Sequence, residues 1–256
     1  MSSGTVEPPF QGRLSNRADL PFYNGQPFAF GGGGWVFLML SVALAFVILI
    51  AIPAQTFAAM LLQAFVFAGL PLLALHQLAG RHWTALFGPV GLKQVGQMLL
   101  FACLTIAASL VAGLTVQALG SVAPNPAATA MNGMTGPDFI LRLITTLPQL
   151  VGEELMTVLP FLALLWLANT RLGIRRTAAI VIALVATSIL FGAAHLPTYD
   201  WHWAQCFGVI GTARMVLTLA YVCTRNLWIS AGAHILNDWF ELAFAFAVSH
   251  VPIRTI

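Results

Sequence analysis

Acidic and imidazole side chains interrupt several otherwise apolar stretches of this chain. Glu153 and Glu154 are adjacent, and His195, His234 and Asp238 follow in separate stretches. A carboxylate and an imidazole can together activate a water molecule, while a second polar group stabilises the oxyanion of a tetrahedral intermediate. These residue types therefore predict hydrolysis of a carbonyl compound such as a peptide bond, although proton relays use the same side chains.

The spacing of the later group places its members on one side of a helix. His234 and Asp238 are four residues apart, and Glu241 follows three residues later. Residues at these spacings share a helix face, and Asn237 lies close to the same face. We expect this polar stripe to point into a helix bundle rather than toward lipid.

The two earlier groups have different geometries. Glu153 and Glu154 are neighbours on a helix, so their side chains project about 100° apart and cannot face one centre equally. One would face the reaction and the other a supporting partner. Phe191 and His195 share a helix face, and Gly192 between them permits a close backbone approach.

The composition indicates which kind of secondary structure positions these residues, namely helices of a membrane protein. Of the 256 residues, 59% are hydrophobic and only 7% are charged, whereas a soluble domain carries about 25% charged residues. The mean hydropathy is +0.88. These values exclude a soluble enzyme, a secreted disulfide scaffold, a disordered chain and a nucleic-acid-binding protein. They predict an all-α polytopic membrane bundle.

Seven apolar stretches have the length of a membrane-spanning helix, which needs about 20 residues. The predicted spans are 35–54, 57–79, 95–119, 148–170, 177–196, 202–223 and 228–249. Residues 137–147 are apolar but short, and either form an interfacial or re-entrant helix, which would make an eighth membrane segment, or extend the fourth span. The predicted organisation is a polar N-terminal tail, 1–34, followed by one membrane-embedded domain, 35–250.

Basic residues alternate between the connections of this layout. The successive connections carry 2, 0, 2, 0, 3, 0 and 1 basic residues, with Arg254 as one exception, when the connection before the fourth span is taken as the loop 120–136. They are Arg13 and Arg17, then Arg81 and Lys93, then Arg171, Arg175 and Arg176, and finally Arg225. Because cytoplasmic loops are enriched in Lys and Arg, the pattern predicts a cytoplasmic N-terminus and an external C-terminus.

Acidic residues within the spans are costly. Four of the eight acidic residues fall there, namely Glu153, Glu154, Asp238 and Glu241. Each costs at least about 2.5–3.5 kcal/mol at mid-bilayer on insertion scales. Such costs favour a functional site over a purely structural polar network.

In the order of its motifs, this sequence resembles the CAAX prenyl protease and bacteriocin-processing family, also called the type II CAAX protease or Abi family, whose members are intramembrane endopeptidases. The resemblance covers about residues 150–240, including the Asn226-Leu227-Trp228-Ile229-Ser230 segment. Its motifs are Glu153-Glu154, Phe191-x-x-x-His195 and His234-x-x-x-Asp238.

The resemblance implies a role for each matching position. Glu153 matches the general base that polarises water, and His195 matches the histidine that shares that water. His234 and Asp238 match the residues assigned to the oxyanion or to water positioning. Asp238 fits less well, because an ionised carboxylate repels an oxyanion, so it would be protonated or would hold His234 in one tautomer.

One position departs from the family pattern. The family's first motif is Glu-Glu-x-x-x-Arg, and Val158 stands at the Arg position. Without that Arg, Glu154 would be an unpaired buried charge. We hypothesise that Arg214, near the middle of the sixth span, replaces it, with Asp238 and Glu241 as competing partners.

The resemblance favours a metal-free glutamic mechanism, so no cofactor is expected. The alternative is a catalytic zinc held by His195, His234 and one carboxylate, which would supply three protein ligands. No His-Glu-x-x-His pair is present to support it.

The sequence therefore predicts an intramembrane endopeptidase that cleaves a peptide or the tail of a membrane-associated protein within the lipid bilayer. A bacterial inner membrane is the expected location, and there prenylated CAAX substrates are not expected. Two alternatives remain, namely a non-catalytic family member acting as an immunity or scaffold protein, and a proton-coupled transporter using Glu153, Glu154 and Asp238. The sequence indicates no nucleic-acid partner and does not define the oligomeric state.

Overall fold

The computed structural model describes residues 19–120 and 122–251, and these residues form helices and connections without any strand. The α-helices are α1 Gly32–Ala51, α2 Phe57–Ala79, α3 Leu92–Leu119, α4 Pro126–Thr129, α5 Gly136–Leu165, α6 Arg176–Ala194, α7 Gly211–Thr224 and α8 Leu227–Ser249. Short 3₁₀ helices lie at Gly80–Leu86 and Pro197–Tyr199, and π-helical segments lie at Trp166–Arg171 and Ala204–Ile210. The predicted all-α polytopic membrane bundle is confirmed.

Six helical segments of the described chain are long and apolar enough to cross a membrane. They are Gly32–Ala51, Phe57–Leu86, Leu92–Leu119, Gly136–Arg171, Arg176–Ala194 and Ala204–Thr224. The seventh predicted span corresponds to α8. This helix has 23 residues, but it contains no 18-residue stretch as apolar as those of the six other segments. The polar stripe of His234, Asn237, Asp238 and Glu241 accounts for this difference.

The contacts at the two ends of α8 show that it runs along the bundle. At its start, the Asn226 side chain accepts a hydrogen bond from Gly88 N at 2.8 Å, beside the start of α3. At its end, Ser249 Oγ donates to Met131 O at 3.3 Å, beside the start of α5. Because α5 begins after α3 has crossed the bundle, these two contacts lie at opposite ends of the molecule, and α8 connects those ends.

The fourth predicted span begins 12 residues earlier than expected. Helix α5 starts at Gly136, where Thr135 caps it by accepting a hydrogen bond from Asp138 N. Residues 137–147 therefore extend this helix, which is one of the two predicted alternatives. Pro148, the first residue of the predicted span, lies inside the helix, where it removes one backbone hydrogen bond.

Helix α5 is the centre of the bundle. In its most apolar 18-residue window 61% of residues are buried, compared with 11% in α3. The corresponding surface of α3 consists of apolar side chains such as Leu100, Leu104 and Leu110, as expected for a helix that faces lipid.

Part of the predicted N-terminal tail packs into the core. The side chains of Leu20, Phe22 and Tyr23 are at most 2% exposed. The ring of Phe30 packs edge-to-face against Trp35 at 5.0 Å between centroids. Residues 1–18, which include the basic residues of the predicted tail, lie outside the described residues.

Candidate active site

The predicted site residues, with the exception of Glu154, line one cavity of about 660 Å³ inside the bundle. Glu153 lies in the middle of α5, His195 directly follows α6, and His234 and Asp238 lie in the first half of α8. The predicted fourth span would place Glu153 only five residues from its start, whereas Glu153 is 17 residues from the start of α5.

The surroundings of Glu153 leave its carboxylate accessible to the cavity. Its side chain is 13% exposed. Gln149, one turn earlier on α5, donates a hydrogen bond from Nε2 to Glu153 Oε1 at 3.1 Å. The other oxygen, Oε2, lies 3.9 Å from His234 Nε2, which is too far for a direct hydrogen bond. Glu153 is thus held on one side and open on the other.

Glu154 points away from the cavity into a fully buried ion pair. Arg214 Nη2 donates a hydrogen bond to Glu154 Oε1, and both side chains have no exposed surface. Of the three acids that were candidates for Arg214, Glu154 is the one it contacts. The two adjacent glutamates therefore diverge, as their spacing on a helix predicts.

His234 lies between the two glutamates. Its Nδ1 lies 3.0 Å from Glu154 Oε1. An ionised carboxylate only accepts hydrogen bonds, so this contact requires a proton on Nδ1. The Glu154–Arg214 ion pair thereby fixes the orientation of the imidazole, and Nε2 faces Glu153 at 3.9 Å and Asp238 at 3.6 Å.

His195 joins the site through Phe191. Its Nδ1 lies 2.8 Å from the carbonyl oxygen of Phe191 and donates to it, which leaves Nε2 as the acceptor of a neutral ring. The Phe191 ring packs against the His195 ring at 4.6 Å between centroids and lies 6.5 Å from that of His234. Its face receives the Arg214 guanidinium at 4.9 Å. His195 and Glu153 both line the cavity, without a direct hydrogen bond between them.

A glycine permits the close helix approach that places Phe191 and His195. A Cβ atom added to Gly192 would lie 2.6 Å from the carbonyl oxygen of Cys206, in the π-helical segment before α7. This separation is shorter than any ordinary contact, so α6 and that segment meet through backbone atoms. Gln205 in the same segment forms two hydrogen bonds with the α3–α4 connection. Its side chain accepts one from Ala123 N and donates one to Ala123 O.

The acidic residues of α8 are linked by an amide. Asn237 Nδ2 donates to Asp238 Oδ1 at 3.1 Å and to Glu241 Oε1 at 3.3 Å. The Asp238 side chain is 34% exposed, and all three residues line the cavity. The predicted polar stripe therefore does face the interior of the bundle.

Two of the cavity residues that sequence reasoning missed are Gln149 and Tyr199. Gln149 supports Glu153 from one turn away, and its spacing of four residues was a signal for this contact. Tyr199, between α6 and the next span, also lines the cavity. Burial, followed by the nearby carboxylates of Glu241 and Asp238, raises the pKa of Tyr199 to about 12. Its phenol therefore stays protonated at neutral pH and can donate a hydrogen bond.

The donor set does not fit the zinc alternative. A catalytic zinc needs three protein ligands that converge on one point. Across residues 19–120 and 122–251, no three His, Cys, Asp or Glu side chains are arranged in this way.

Comparison with known families supports the predicted resemblance. Residues 135–240 match the family described as type II CAAX prenyl endopeptidase Rce1-like. Over these residues, the chain is similar to the CAAX protease family. The match spans α5, α6, α7 and more than half of α8, and includes every predicted site residue except Glu241. No curated protein and no solved structure matches the chain at a significant level.

The match to the CAAX protease family and the six apolar helices of the described chain indicate an integral membrane protein that resembles a peptidase. The family's usual Arg after the glutamate pair is replaced by the fully buried Val158. In this chain, the guanidinium that contacts the second glutamate comes from Arg214 in α7 instead.

Proposed function

We propose that this protein is an intramembrane endopeptidase of the glutamic type, in which Glu153 and His195 activate a water molecule. The observation that carries the proposal is the position of His234 between the two glutamates, at 3.0 Å from Glu154 and 3.9 Å from Glu153. The buried ion pair of Glu154 orients the imidazole, while Glu153 stays accessible in the cavity. Glu153 can thus act as the general base, while Glu154 orients the imidazole of His234.

In the proposed reaction, Glu153 accepts one proton from water as the water oxygen attacks the carbonyl carbon of the scissile bond. His195 Nε2 accepts a hydrogen bond from the same water and so orients it. When the tetrahedral intermediate collapses, the C–N bond breaks and the proton passes from Glu153 to the leaving amine. The products are a carboxylic acid and an amine, and Glu153 returns to its ionised form.

His234 and Asp238 assist at the oxyanion side of this site. The Nδ1 proton of His234 is committed to Glu154, so only a doubly protonated ring can also donate from Nε2 to an oxyanion. Asp238 Oδ1 lies 3.6 Å from that Nε2 and favours such a charged ring. The neutral phenol of Tyr199 is a second donor in the same cavity. In this proposal neither His234 nor Asp238 contacts the attacking water.

The substrate is proposed to be a peptide, or the tail of a membrane-associated protein, that enters the cavity from the lipid. The location would be a bacterial inner membrane with the N-terminus in the cytoplasm. The contacts of Arg176 with Asp19 and of Asn226 with Gly88 support this orientation, because each joins two segments of the predicted cytoplasmic side. The α4 residues Pro126 and Ala127 also line the cavity, and they follow α3 on the predicted outer side, so the cavity would open toward the outside.

The non-catalytic alternative was favoured by the loss of the family Arg. The contact of Arg214 with Glu154 removes that support, because the second glutamate keeps a buried cationic partner. No feature of the described residues favours the transporter alternative over hydrolysis.

The experiment that tests this function compares membrane proteins in cells that produce the wild-type chain or its variants. Mass spectrometry of new peptide termini should reveal products with the wild-type chain that disappear with Glu153→Gln and with His195→Ala. Glu153→Gln keeps the size of the side chain but removes the base. His76→Ala is the matched control, because His76 is exposed and lies outside the cavity. Identical product sets for wild type and Glu153→Gln would contradict the proposal.

A further inference from the structure

One cation in the cavity is not used by the proposed reaction. Arg142, the seventh residue of α5, is half-buried and lines the same cavity as Glu153. Its Nη1 lies 3.9 Å from the sulfur of Met60 in α2, and a thioether is only a weak acceptor. In contrast to Arg214, Arg142 has no carboxylate within 4 Å among the described residues.

The carboxylate closest in helix spacing is already engaged. Asp138 lies four residues before Arg142, on the same helix face. However, Asp138 Oδ2 accepts a hydrogen bond from the Thr135 hydroxyl at 2.6 Å, within the N-terminal cap of α5. The cap thus holds Asp138 at the helix end, away from the guanidinium.

The position of Arg142 relative to Glu153 is defined by the helix. Gln149 and Glu153 are 7 and 11 residues later, which is close to two and three full turns, so all three side chains lie in one row. At 1.5 Å per residue, Arg142 and Glu153 are about 16 Å apart along α5. Their row faces the cavity, since all three residues line it.

The cavity therefore contains a cation at a distance from Glu153. Arg142 lies three helix turns from Glu153 toward the start of α5. Asp238 and Glu241 lie at intermediate depth, since the neighbouring Trp239 indole donates a hydrogen bond to Thr146 Oγ1 at 2.9 Å. A guanidinium within a membrane helix is costly, and it is usually retained where it meets a partner. A carboxylate is the partner whose planar geometry it binds best, through two parallel hydrogen bonds.

We propose that Arg142 binds a carboxylate of the peptide substrate and so sets which bond lies at Glu153. The inference rests on the proposed endopeptidase function and defines its substrate class. An extended peptide advances about 3.4 Å per residue, so 16 Å corresponds to about five residues, and fewer if the Arg142 side chain reaches toward Glu153. The carboxylate is therefore a terminal carboxylate, or an Asp or Glu side chain, within about five residues of the cleaved bond.

The test uses the full-length protein in lipid nanodiscs and a library of synthetic apolar peptides. Each peptide is made with a free C-terminus, with a C-terminal amide, and with Asp or Glu replaced by Asn or Gln. Wild-type protein should cleave peptides that carry the carboxylate with about 10- to 100-fold higher kcat/KM than their neutral counterparts, the value of a hydrogen bond to a charged group. Loss of this preference on amidation would identify the terminal carboxylate, and its loss on Asn or Gln substitution would identify a side chain.

The variants separate recognition from a structural role. Arg142→Gln should abolish the preference while cleaving neutral peptides at close to the wild-type rate, and Arg142→Lys should retain part of the preference. Arg175→Gln is the control, because Arg175 is exposed and outside the cavity. The inference is wrong if wild-type protein shows no preference, or if Arg142→Gln lowers the cleavage of both peptide classes by the same factor. If no peptide is cleaved by wild-type protein, the proposed function itself fails, and this inference fails with it.

Discussion

Removing Arg214 should destabilise the protein strongly, because it would leave Glu154 as an unpaired buried charge. Both side chains are fully buried, and Arg214 Nη2 donates to Glu154 Oε1. Breaking a buried ion pair by removing one partner costs about 3–5 kcal/mol. Arg214→Met keeps the length and apolar character of the stem, so nearly all of this cost should come from the lost charge. It also removes the guanidinium that packs 4.9 Å from the Phe191 ring centroid.

A double-mutant cycle separates the ion pair from packing. Glu154→Gln alone leaves a buried guanidinium, and it should be destabilising by a similar amount. The double variant Glu154→Gln/Arg214→Met removes both charges, and replacement of a buried pair by neutral groups is often nearly neutral. The double variant should therefore be more stable than either single variant, with an interaction energy of about 3 kcal/mol or more.

The assay is unfolding of purified protein in mixed micelles, followed by tryptophan fluorescence. A single Arg214→Met variant as stable as wild type would refute the reasoning. Additive losses in the double variant would also refute it, because they would show that the two charges do not interact.

Two further predictions concern a helix contact beside the site and a surface ion pair. Gly192→Ala should destabilise the protein by about 1–3 kcal/mol and reduce kcat, because its Cβ would lie 2.6 Å from the Cys206 carbonyl oxygen. Gly69→Ala is the control, because its Cβ would meet no atom within 4 Å. Equal melting temperatures of the two variants would contradict the prediction. Burial raises the pKa of Asp19, but hydrogen bonds from Arg176 and Tyr23 outweigh it and lower the pKa below its ordinary value of 3.8. A lowered pKa in the folded state means that the stabilisation, of about 1 kcal/mol or less for so exposed a pair, is present above pH 4 and lost as the pH falls through the folded-state pKa. The difference in melting temperature between wild type and Asp19→Asn should therefore be constant from pH 5 to pH 8 and vanish in stronger acid, and a difference that grows in acid would be the contrary result.

Hydropathy predicted most helices because each lipid-facing helix must be apolar along its whole length. Its error at α5 has a physical cause. The apolar run is interrupted by Arg142, Thr145, Thr146 and Pro148. The two threonines fit within a helix because their hydroxyls donate hydrogen bonds to backbone carbonyls of the same helix. The packing of residues 19–31 had no periodic signal, because it depends on a few aromatic rings rather than on a repeated face.

Helix spacing predicted which site residues share a face, but not which residues meet across helices. The divergence of Glu153 and Glu154 and the inward stripe of His234 and Asp238 follow from 3.6 residues per turn. That Arg214 needed an acidic partner followed from the cost of a charge in the membrane. The choice of Glu154 over the other acids depends on the tertiary arrangement of α5 and α7, which no local pattern encodes.

The central claim is that Glu153 is the base that activates water in a cavity shared by three helices. The most direct measurement is the rate at which purified wild-type protein and Glu153→Gln cleave the same peptide, in water enriched in oxygen-18. A positioned general base contributes about 10²- to 10⁴-fold to the rate. Glu153→Gln should therefore cleave the peptide about 100-fold more slowly or worse, while keeping the melting temperature of wild type. The wild-type reaction should place one oxygen-18 atom in the new carboxylate. A Glu153→Gln rate within tenfold of wild type would contradict the account.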